Sequence, residues 1–376
     1  MVFEGRVESI SFSGGVVRFG GKAFFVPFTC PGDVVRAEAA DEKKPVARLV
    51  EIVEASGDRV EPQCPLFGIC GGCTLQHMSY ESQAAEKKNM VADALRRIGG
   101  VEAAPEIGFV PSPPYGWRNR VELHTDGGIV GFKESKSAKI VRARDCPAAV
   151  PVVRDFIKYA APPCGRRRFT VYGFDDRIAV EGGDTERLFV PGLDVTMDAR
   201  LFFQSNLEAQ KTLVADVAAI AGKGGMLADI YCGVGAFARS LAAGFAELVL
   251  VEENPQAIAL ARENLRGSRA EYYALSAERY CAAVGSNAQN TGRTPHGETA
   301  VVDPPREGLC VPLINLFIRL KTAALIYVSC NPATLARDTK RLLEGGYRLV
   351  SVTCYDFYPQ TTHIECAVLF RYEGRL

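Results

Sequence analysis

The chain has 376 residues, of which 47% are hydrophobic and 23% are charged, a composition typical of a globular protein of about two or three domains. Because 44 Lys and Arg residues balance 44 Asp and Glu residues, the composition excludes a uniformly basic nucleic-acid binder, and any such ligand would need a local basic patch. No apolar run approaches the roughly 20 residues that span a bilayer, and the N-terminus lacks the basic-then-apolar order of a secretory signal. We therefore expect a cytoplasmic protein with no membrane partner.

Residues 1–58 have the pattern of a small all-β unit. Short apolar runs alternate with turn signals such as Gly14-Gly15, Gly20-Gly21 and the Pro-Gly-Asp sequence at 31–33. About five short strands in this range predict a small barrel such as an OB-fold, which commonly binds oligonucleotides.

A cysteine-rich segment follows the predicted barrel. Cys64, Cys70 and Cys73 lie close together in the sequence, and Cys146 follows much later. Without a secretory signal, disulfides are not expected. Zinc ribbons use paired Cys-x-x-Cys units, whereas three clustered cysteines and a distant fourth are more typical of a cubane iron–sulfur cluster. The spacing alone leaves an iron–sulfur cluster, a zinc site and unligated cysteines open.

Two further patterns define the central part of the chain. Residues 80–99 predict an amphipathic helix, which could pack on the C-terminal domain. From about 117 to 195, short strands and turns predict a second β-rich region. We therefore expect three domains, with boundaries at 1–58, 59–198 and 199–376.

After about residue 200 the pattern changes to alternating helices and apolar strands. This alternation predicts a parallel, doubly wound α/β sheet of the Rossmann type. Residues 284–298 are polar and rich in turn residues, and are predicted to form a surface insertion. The stretches 350–357 and 364–371 are predicted to form antiparallel strands at the far edge of the sheet.

A glycine turn at residues 229–238 follows a predicted strand and opens a helix. Gly233 and Gly235 allow the backbone to approach a ligand, and Glu252, at the end of the next strand, can bind ribose hydroxyls. This spacing also fits the dinucleotide fingerprint, so NAD is an alternative ligand. Asp229 at the strand end and Cys232 in the turn favour a ligand that combines a nucleoside with a cationic sulfonium.

Three reactive residues lie at or near predicted strand ends in the same domain. Asp303 begins an Asp-Pro-Pro-Arg loop, and Glu365 begins the last strand, where it could act as a general base. Cys330 lies just past a strand, at the start of a helix, where we expect the helix N-terminus to lower the pKa of its thiol. Each residue by itself could equally be a core filler or a surface group.

Taken together, these motifs resemble the RNA uracil-5-methyltransferase family, and the resemblance covers nearly the whole chain. The N-terminal barrel is similar to a TRAM domain. The motifs that carry the resemblance are Phe-Phe-Gln-x-Asn at 202–206, Asp-x-x-Cys-Gly-x-Gly at 229–235, Asp-Pro-Pro-Arg-x-Gly at 303–308, Leu-Ile-Tyr-x-Ser-Cys-Asn at 325–331 and His-x-Glu at 363–365.

The resemblance implies a class I methyltransferase domain that uses S-adenosylmethionine as the methyl donor. It implies that Cys330 attacks carbon 6 of a uracil and that Glu365 removes the proton from carbon 5. It also decides between the open readings of the cysteines in favour of a 4Fe–4S cluster on Cys64, Cys70, Cys73 and Cys146. The residues implied to bind the donor are Gln204, Tyr231, Gly233, Gly235, Glu252 and Asp303, and Phe202 is implied to contact the nucleotide.

The resemblance also bears on the substrate. A barrel combined with a cluster is typical of relatives that act on 23S rRNA, and the alternative is a uridine in the T-loop of tRNA. An RNA-binding iron–sulfur protein that has lost catalysis is a different class, which the intact Cys330 and Glu365 argue against. The chain departs from the family at Ala236, where many members have Asn, and we expect a monomer.

Overall fold

The computed structural model describes residues 1–41, 44–126, 128–159, 165–291 and 298–374. The predicted N-terminal all-β unit is confirmed as a five-stranded antiparallel sheet in the order β3-β2-β1-β4-β5. Its strands are β1 (Val2–Ser11), β2 (Gly14–Phe19), β3 (Lys22–Val26), β4 (Val34–Glu38) and β5 (Arg48–Glu54).

This N-terminal sheet curls until its two edges approach each other. The backbone N–H of Phe25 in β3 donates to the carbonyl of Pro45 (2.7 Å), and the N–H of Ala47 donates to the carbonyl of Phe25 (3.0 Å). Alternate residues of β1, such as Phe3 and Val7, point into the small core that the curl encloses. Curling reduces the unpaired strand edge that an open sheet would expose.

The central part of the chain contains a second five-stranded sheet, in the order β11-β10-β7-β8-β9, and a separate β12-β13 hairpin. Its elements are α1 (Tyr80–Arg97), β6 (Ile107–Val110), β7 (Arg120–Asp126), β8 (Ile129–Lys133), β9 (Ile140–Arg142), α2 (Pro151–Tyr159), β10 (Arg168–Phe174), β11 (Arg177–Val180), β12 (Arg187–Val190) and β13 (Val195–Asp198). Two of these elements, α1 and β6, pack on the C-terminal domain instead.

The C-terminal part forms the predicted Rossmann-like domain around an eight-stranded sheet, in the order β16-β15-β14-β17-β18-β20-β19-β6. Strands β14 to β18 are parallel and β20 is antiparallel to its neighbours. The elements are α3 (Leu207–Ala221), β14 (Gly224–Ile230), α4 (Ala236–Leu241), β15 (Phe245–Val251), α5 (Pro255–Asn264), β16 (Ala270–Tyr273), α6 (Ala277–Thr291), β17 (Thr299–Val302), α7 (Val311–Leu320), β18 (Ala324–Ser329), α8 (Pro332–Glu344), β19 (Tyr347–Tyr355) and β20 (Glu365–Tyr372).

The structure corrects the sequence-based prediction at two places in this domain. The last two strands do not form the far edge, because β20 lies between β18 and β19, and β6 from the central region covers the outer side of β19. The surface insertion predicted at 284–298 is helical through Thr291, at the end of α6, while residues 292–297 lie outside the described part of the chain.

Helix α1 is joined to the C-terminal domain by a buried ion pair, as the prediction for residues 80–99 allowed. The ammonium of Lys87 lies 2.6 Å from the carboxylate of Asp356, and both side chains are at most 1% exposed. Lys87 also donates to the carbonyl of Tyr358 (3.1 Å). A buried charge is tolerated only when it is paired and hydrogen-bonded, so this contact specifies where α1 lies.

Within the described ranges, none of the helices has both the length and the apolar character that a membrane crossing requires.

The buried ion pair leads to a test of stability. In Lys87→Met, the carboxylate of Asp356 is left buried without a cation, and we expect the free energy of unfolding to fall by about 3–5 kcal/mol. Arg18→Met, which breaks the exposed Arg18–Glu8 pair on the N-terminal sheet, should cost less than about 1 kcal/mol. Urea denaturation followed by circular dichroism measures both variants, and equal losses would contradict the assignment.

Candidate active site

One large cavity, of about 1240 Å³, opens at the carboxyl ends of the parallel strands. Typical single-ligand pockets occupy roughly 300–1,000 Å³, so this cavity has room for two ligands side by side. The predicted site residues that line it are Phe202, Gln204, Tyr231, Gly233, Glu252, Asp303, Cys330 and Glu365.

The two turn glycines have different structural roles. Gly233 has a φ of +54°, and a β-carbon there would meet no atom within 4 Å, so its backbone is open to a ligand. Its N–H donates to the carboxylate of Glu252 (3.1 Å), which places that carboxylate beside the turn. Gly235 does not line the cavity. It has a φ of +83°, and a β-carbon there would lie 3.3 Å from Ala261 and Leu265, so Gly235 allows close packing against α5.

Three carboxyl groups are buried around the cavity without enough positive charge to balance them. Burial raises the pKa of Asp229 to about 7, and burial together with the charge of Asp229 raises that of Asp303 to about 7. Burial and Asp303 also raise the pKa of Glu365 well above its ordinary value. Glu365 is 2% exposed, and one of its carboxylate oxygens has no protein partner. Such a site favours a cationic ligand.

Cys330 lies directly after β18, but its thiol does not have the low pKa that its position predicts. Burial and the carboxyl groups of Glu365 and Asp303 raise the pKa to about 12, and the guanidinium of Arg306 and a backbone hydrogen bond act in the other direction. The expectation based on the helix N-terminus is therefore wrong for the ligand-free site. The nearby carboxyl groups and burial outweigh the helix.

The loop that begins at Asp303 is tied to the start of α8. Asn331 caps α8 by accepting the N–H of Ala333 (3.1 Å), and its side-chain amide donates to the carbonyl of Arg306 (3.0 Å). The hydroxyl of Thr334 donates to the same carbonyl (3.1 Å). The residue after Cys330 thus joins the start of α8 to the Asp303 loop.

A buried carboxylate on α8 holds the far end of this loop. Asp338 accepts the N–H of Leu309 (2.8 Å) and the hydroxyl of Tyr327 (3.0 Å), and its side chain is fully buried. A β-carbon at Gly308 would lie 2.5 Å from this carboxylate, which explains the glycine in the motif. Loop, strand and helix are thereby locked together around Cys330.

The mouth of the cavity combines the predicted Phe202 with aromatic and basic residues that were not predicted, Trp117, Arg118 and Arg120. Phe202 is 64% exposed, and the guanidinium of Arg120 lies 5.7 Å from its ring centroid. Trp117 and Arg118 also line the cavity, and the indole N–H of Trp117 has no protein acceptor. The signal was present, since the single Trp of the chain lies in a Trp-Arg-Asn-Arg sequence just before β7.

The four predicted cysteine ligands come together around a second, smaller cavity of about 30 Å³. All four carry free thiols. Burial raises the pKa of Cys70, Cys73 and Cys146, and the guanidinium of Arg118 opposes this in each case. Over the described ranges, no three His, Cys, Asp or Glu side chains are grouped so that they could hold a metal ion. Arg118 lines both cavities, so the two share a wall.

Comparisons with known proteins agree on one kind of relative. Residues 193–373 match the model of a family described as tRNA (uracil-5-)-methyltransferase. A Treponema denticola RNA methyltransferase is 32% identical, with 93% of this chain and 94% of the relative covered. A 23S rRNA (uracil(1939)-C(5))-methyltransferase of Acidithiobacillus ferrooxidans is 30% identical, with 97% and 96% covered.

A solved structure is similar over almost the whole chain. The tRNA (uracil-54, C5)-methyltransferase of Pyrococcus abyssi, in complex with S-adenosyl-L-homocysteine, superposes with a TM-score of 0.75 at 27% identity. The match covers 98% of this chain and 100% of that one.

The raised pKa of Cys330 predicts how fast its thiol reacts in the ligand-free enzyme. Alkylation by iodoacetamide, followed by mass spectrometry of the Cys330 peptide, should be slow at neutral pH and rise towards pH 12, because only the thiolate reacts. At pH 8, Asp303→Asn should react faster and Arg306→Met slower, by up to about tenfold for each pKa unit. A rate that is already constant with pH above 7 would contradict the raised pKa.

Proposed function

Because the chain belongs to the RNA uracil-5-methyltransferase family and is thus an S-adenosylmethionine-dependent RNA uracil-C5 methyltransferase, we propose that it methylates a specific uridine of 23S rRNA through a covalent Cys330 adduct. The observation that carries this proposal is the cavity in which Cys330 and Glu365 lie together with the glycine turn. A nucleophile, a base and a donor site in one cavity are what this reaction requires.

The C-terminal domain has the class I methyltransferase fold, which favours S-adenosylmethionine over NAD as its ligand. S-adenosylmethionine supplies the methyl group from a cationic sulfonium. We propose that Glu252 binds the ribose hydroxyls and that the backbone at Gly233 approaches the donor. Gln204, Tyr231 and Asp303 complete the donor site. The excess of buried carboxyl groups supports this assignment, since the ligand brings the missing positive charge.

Carbon 5 of uracil is a weak nucleophile until another group adds to the ring. Cys330 supplies that group: its thiolate bonds to carbon 6, and the electrons of the double bond move to form an enolate with an electron-rich carbon 5. Arg306 stabilises the thiolate, because its guanidinium is the charge that lowers the pKa of this thiol. After carbon 5 has taken the methyl group, the bond to Cys330 breaks only when the proton on carbon 5 is removed.

Glu365 is the best candidate for removing that proton. It lies at the cavity wall, its charge acts directly on Cys330, and its raised pKa makes it a stronger base than an exposed carboxylate. The other nearby candidate is His363, which also lines the cavity. Burial and the cations Arg306 and Lys87 lower the pKa of His363 to about 4, so its imidazole is neutral and weakly basic at neutral pH.

The cavity mouth suits a base that has been flipped out of a folded RNA. Phe202 presents an exposed ring that can stack on the nucleotide, with the cation of Arg120 beside it. Extrusion of a base costs a few kcal/mol, which stacking offsets. The barrel of residues 1–58, as a TRAM-type domain, would add further RNA contacts. Several relatives that match nearly end to end carry the 23S rRNA name, which favours rRNA over tRNA.

We further propose that Cys64, Cys70, Cys73 and Cys146 hold a 4Fe–4S cluster in the smaller cavity. Four free thiols around one cavity form the donor set that such a cluster needs, and the guanidinium of Arg118 would offset its negative charge. The ligands of a cubane bind four separate irons and therefore lie farther apart than the ligands of one ion. This accounts for four converging cysteines that do not meet the spacing of a single-metal site.

The substrate is tested with tritiated S-adenosylmethionine and two pools of RNA that lack 5-methyluridine, ribosomal and transfer. We expect label in 23S rRNA only. Label in tRNA only would replace the rRNA proposal with the T-loop alternative, and label in neither pool would refute the function.

Two variants separate the catalytic roles in the same assay. Cys330→Ala should abolish both methylation and the covalent protein–RNA adduct, because the thiolate that we propose bonds to carbon 6 is removed. Glu365→Gln should form the adduct but release it very slowly, so that it accumulates on denaturing gels. Rapid turnover by Glu365→Gln would show that another residue removes the proton.

The cluster is tested by iron and acid-labile sulfide analysis of anaerobically purified protein. We expect about four irons per chain in the wild type and a large loss in Cys146→Ser, since one of four ligands is removed. Cys30→Ala is the matched control, because Cys30 is buried but lines neither cavity. Zinc without sulfide in the wild type would contradict the proposal.

A further inference from the structure

The loop between β19 and β20, residues 356–364, is held in place by the segment that follows Cys73. The carbonyl of Gln360 accepts the backbone N–H of Thr74 (2.9 Å) and of Leu75 (3.0 Å). The side-chain amide of Gln83 on α1 donates to the side-chain oxygen of Gln360 (3.0 Å), and the N–H of Gln360 donates back to the oxygen of Gln83 (3.0 Å). Four hydrogen bonds therefore converge on one residue of this loop.

Gln360 also has an unusual backbone conformation. Its φ is +68°, in the left-handed region that residues with a β-carbon seldom adopt, and it is only 3% exposed. Such a conformation persists when the surrounding contacts impose it, and it is often found at functional sites. The contacts that impose it here come from Gln83 on α1 and from Thr74 and Leu75, which follow Cys73.

Further hydrogen bonds within the loop connect Gln360 to the active site. The hydroxyl of Thr361 donates to the carbonyl of Tyr358 (2.8 Å), and the N–H of His363 donates to that hydroxyl (3.2 Å). All three side chains line the cavity, and Glu365 begins β20 just after the loop. A displacement at Gln360 therefore displaces the residues that lead into Glu365.

We propose that Gln360 is a positioning residue through which the cysteine segment, residues 64–75, places Glu365 for proton removal. This inference rests on the proposed function and extends it to the role of the cysteines. Thr74 directly follows Cys73, so the proposed cluster, when bound to Cys73, would hold in place the backbone N–H groups of Thr74 and Leu75 that donate to the carbonyl of Gln360. The cysteine site then supports one chemical step without any electron transfer, and Gln360 touches none of the reacting atoms.

The step affected is release of the adduct and not its formation. Cys330 is held by β18, by Asn331 and by the loop from Asp303, and the hydrogen bonds of that group within the described residues do not involve Gln360. Loss of the Gln360 contacts should therefore leave the attack on carbon 6 intact and slow the later removal of the carbon 5 proton.

Single-turnover experiments with 23S rRNA and labelled donor test this on Gln360→Ala and Gln360→Gly. Glycine accepts a φ of +68° at no cost, so the second variant removes the side-chain contacts without backbone strain. We expect the adduct to form at a rate within about twofold of the wild type. We expect it to decay roughly 10- to 100-fold more slowly, as a misplacement by about 1 Å produces.

Three further variants complete the design. Tyr355→Phe is the matched control, because it removes a hydrogen bond to Asp216 (2.7 Å) at the end of β19, outside the loop. The adduct of this variant should decay at the wild-type rate. Gln83→Ala breaks the same amide pair from α1, and should behave as the Gln360 variants do. Cys73→Ser should increase amide hydrogen exchange in residues 356–364, measured without RNA, and leave 303–309 unchanged.

Failure of the positioning role and failure of the proposed function would give different results. Normal adduct decay in the Gln360 and Gln83 variants, equal slowing of formation and decay, or unchanged hydrogen exchange in Cys73→Ser would each overturn the positioning role. A wild-type enzyme that forms no adduct with any RNA would instead overturn the proposed function, and this inference with it.

Discussion

The burial of three carboxyl groups close to one another at one edge of the sheet is the constraint on which the site depends. The charge of Asp229 raises the pKa of Asp303, Asp303 raises that of Glu365, and both Asp303 and Glu365 raise that of Cys330. The guanidinium of Arg306 lowers the pKa of both Cys330 and Glu365. Burial and the carboxyl groups outweigh this cation and favour the protonated thiol. The donor site that we propose would bring a positive charge beside these groups, and that charge would lower the pKa of the thiol.

The catalytic domain is completed by parts of the chain that lie far from it in sequence. Helix α1 supplies Lys87 to the buried carboxylate of Asp356, and β6 pairs with the outer side of β19. The cysteine segment donates two backbone hydrogen bonds to the carbonyl of Gln360 in the β19–β20 loop. The C-terminal domain is thus not an independent unit, because its β19–β20 loop has buried polar groups whose partners come from the first 110 residues.

Local signals predicted much of the fold. Ser79 caps α1 at the start of the helix predicted for residues 80–99, and the alternating helices and strands after residue 200 form the parallel sheet that was predicted. Strand β16 was not predicted, because it is only four residues long and its residues are not fully buried. The place of β6 at the sheet edge was missed as well, because pairing between distant segments leaves no periodic pattern in either one.

The sequence by itself determined which chemical groups are available: a thiol, a carboxyl group, a glycine turn and four further cysteines, each marked by a motif or a strand end. The tertiary structure determined the burial, the packing and the neighbouring charges of those groups. It placed Gly235 against α5 and away from the cavity, reversed the expected direction of the Cys330 pKa, and brought Cys73 within one residue of a contact to the active-site loop. The physical reason is that motifs and turns are local, whereas burial and the charge of neighbouring groups arise only when distant segments pack together.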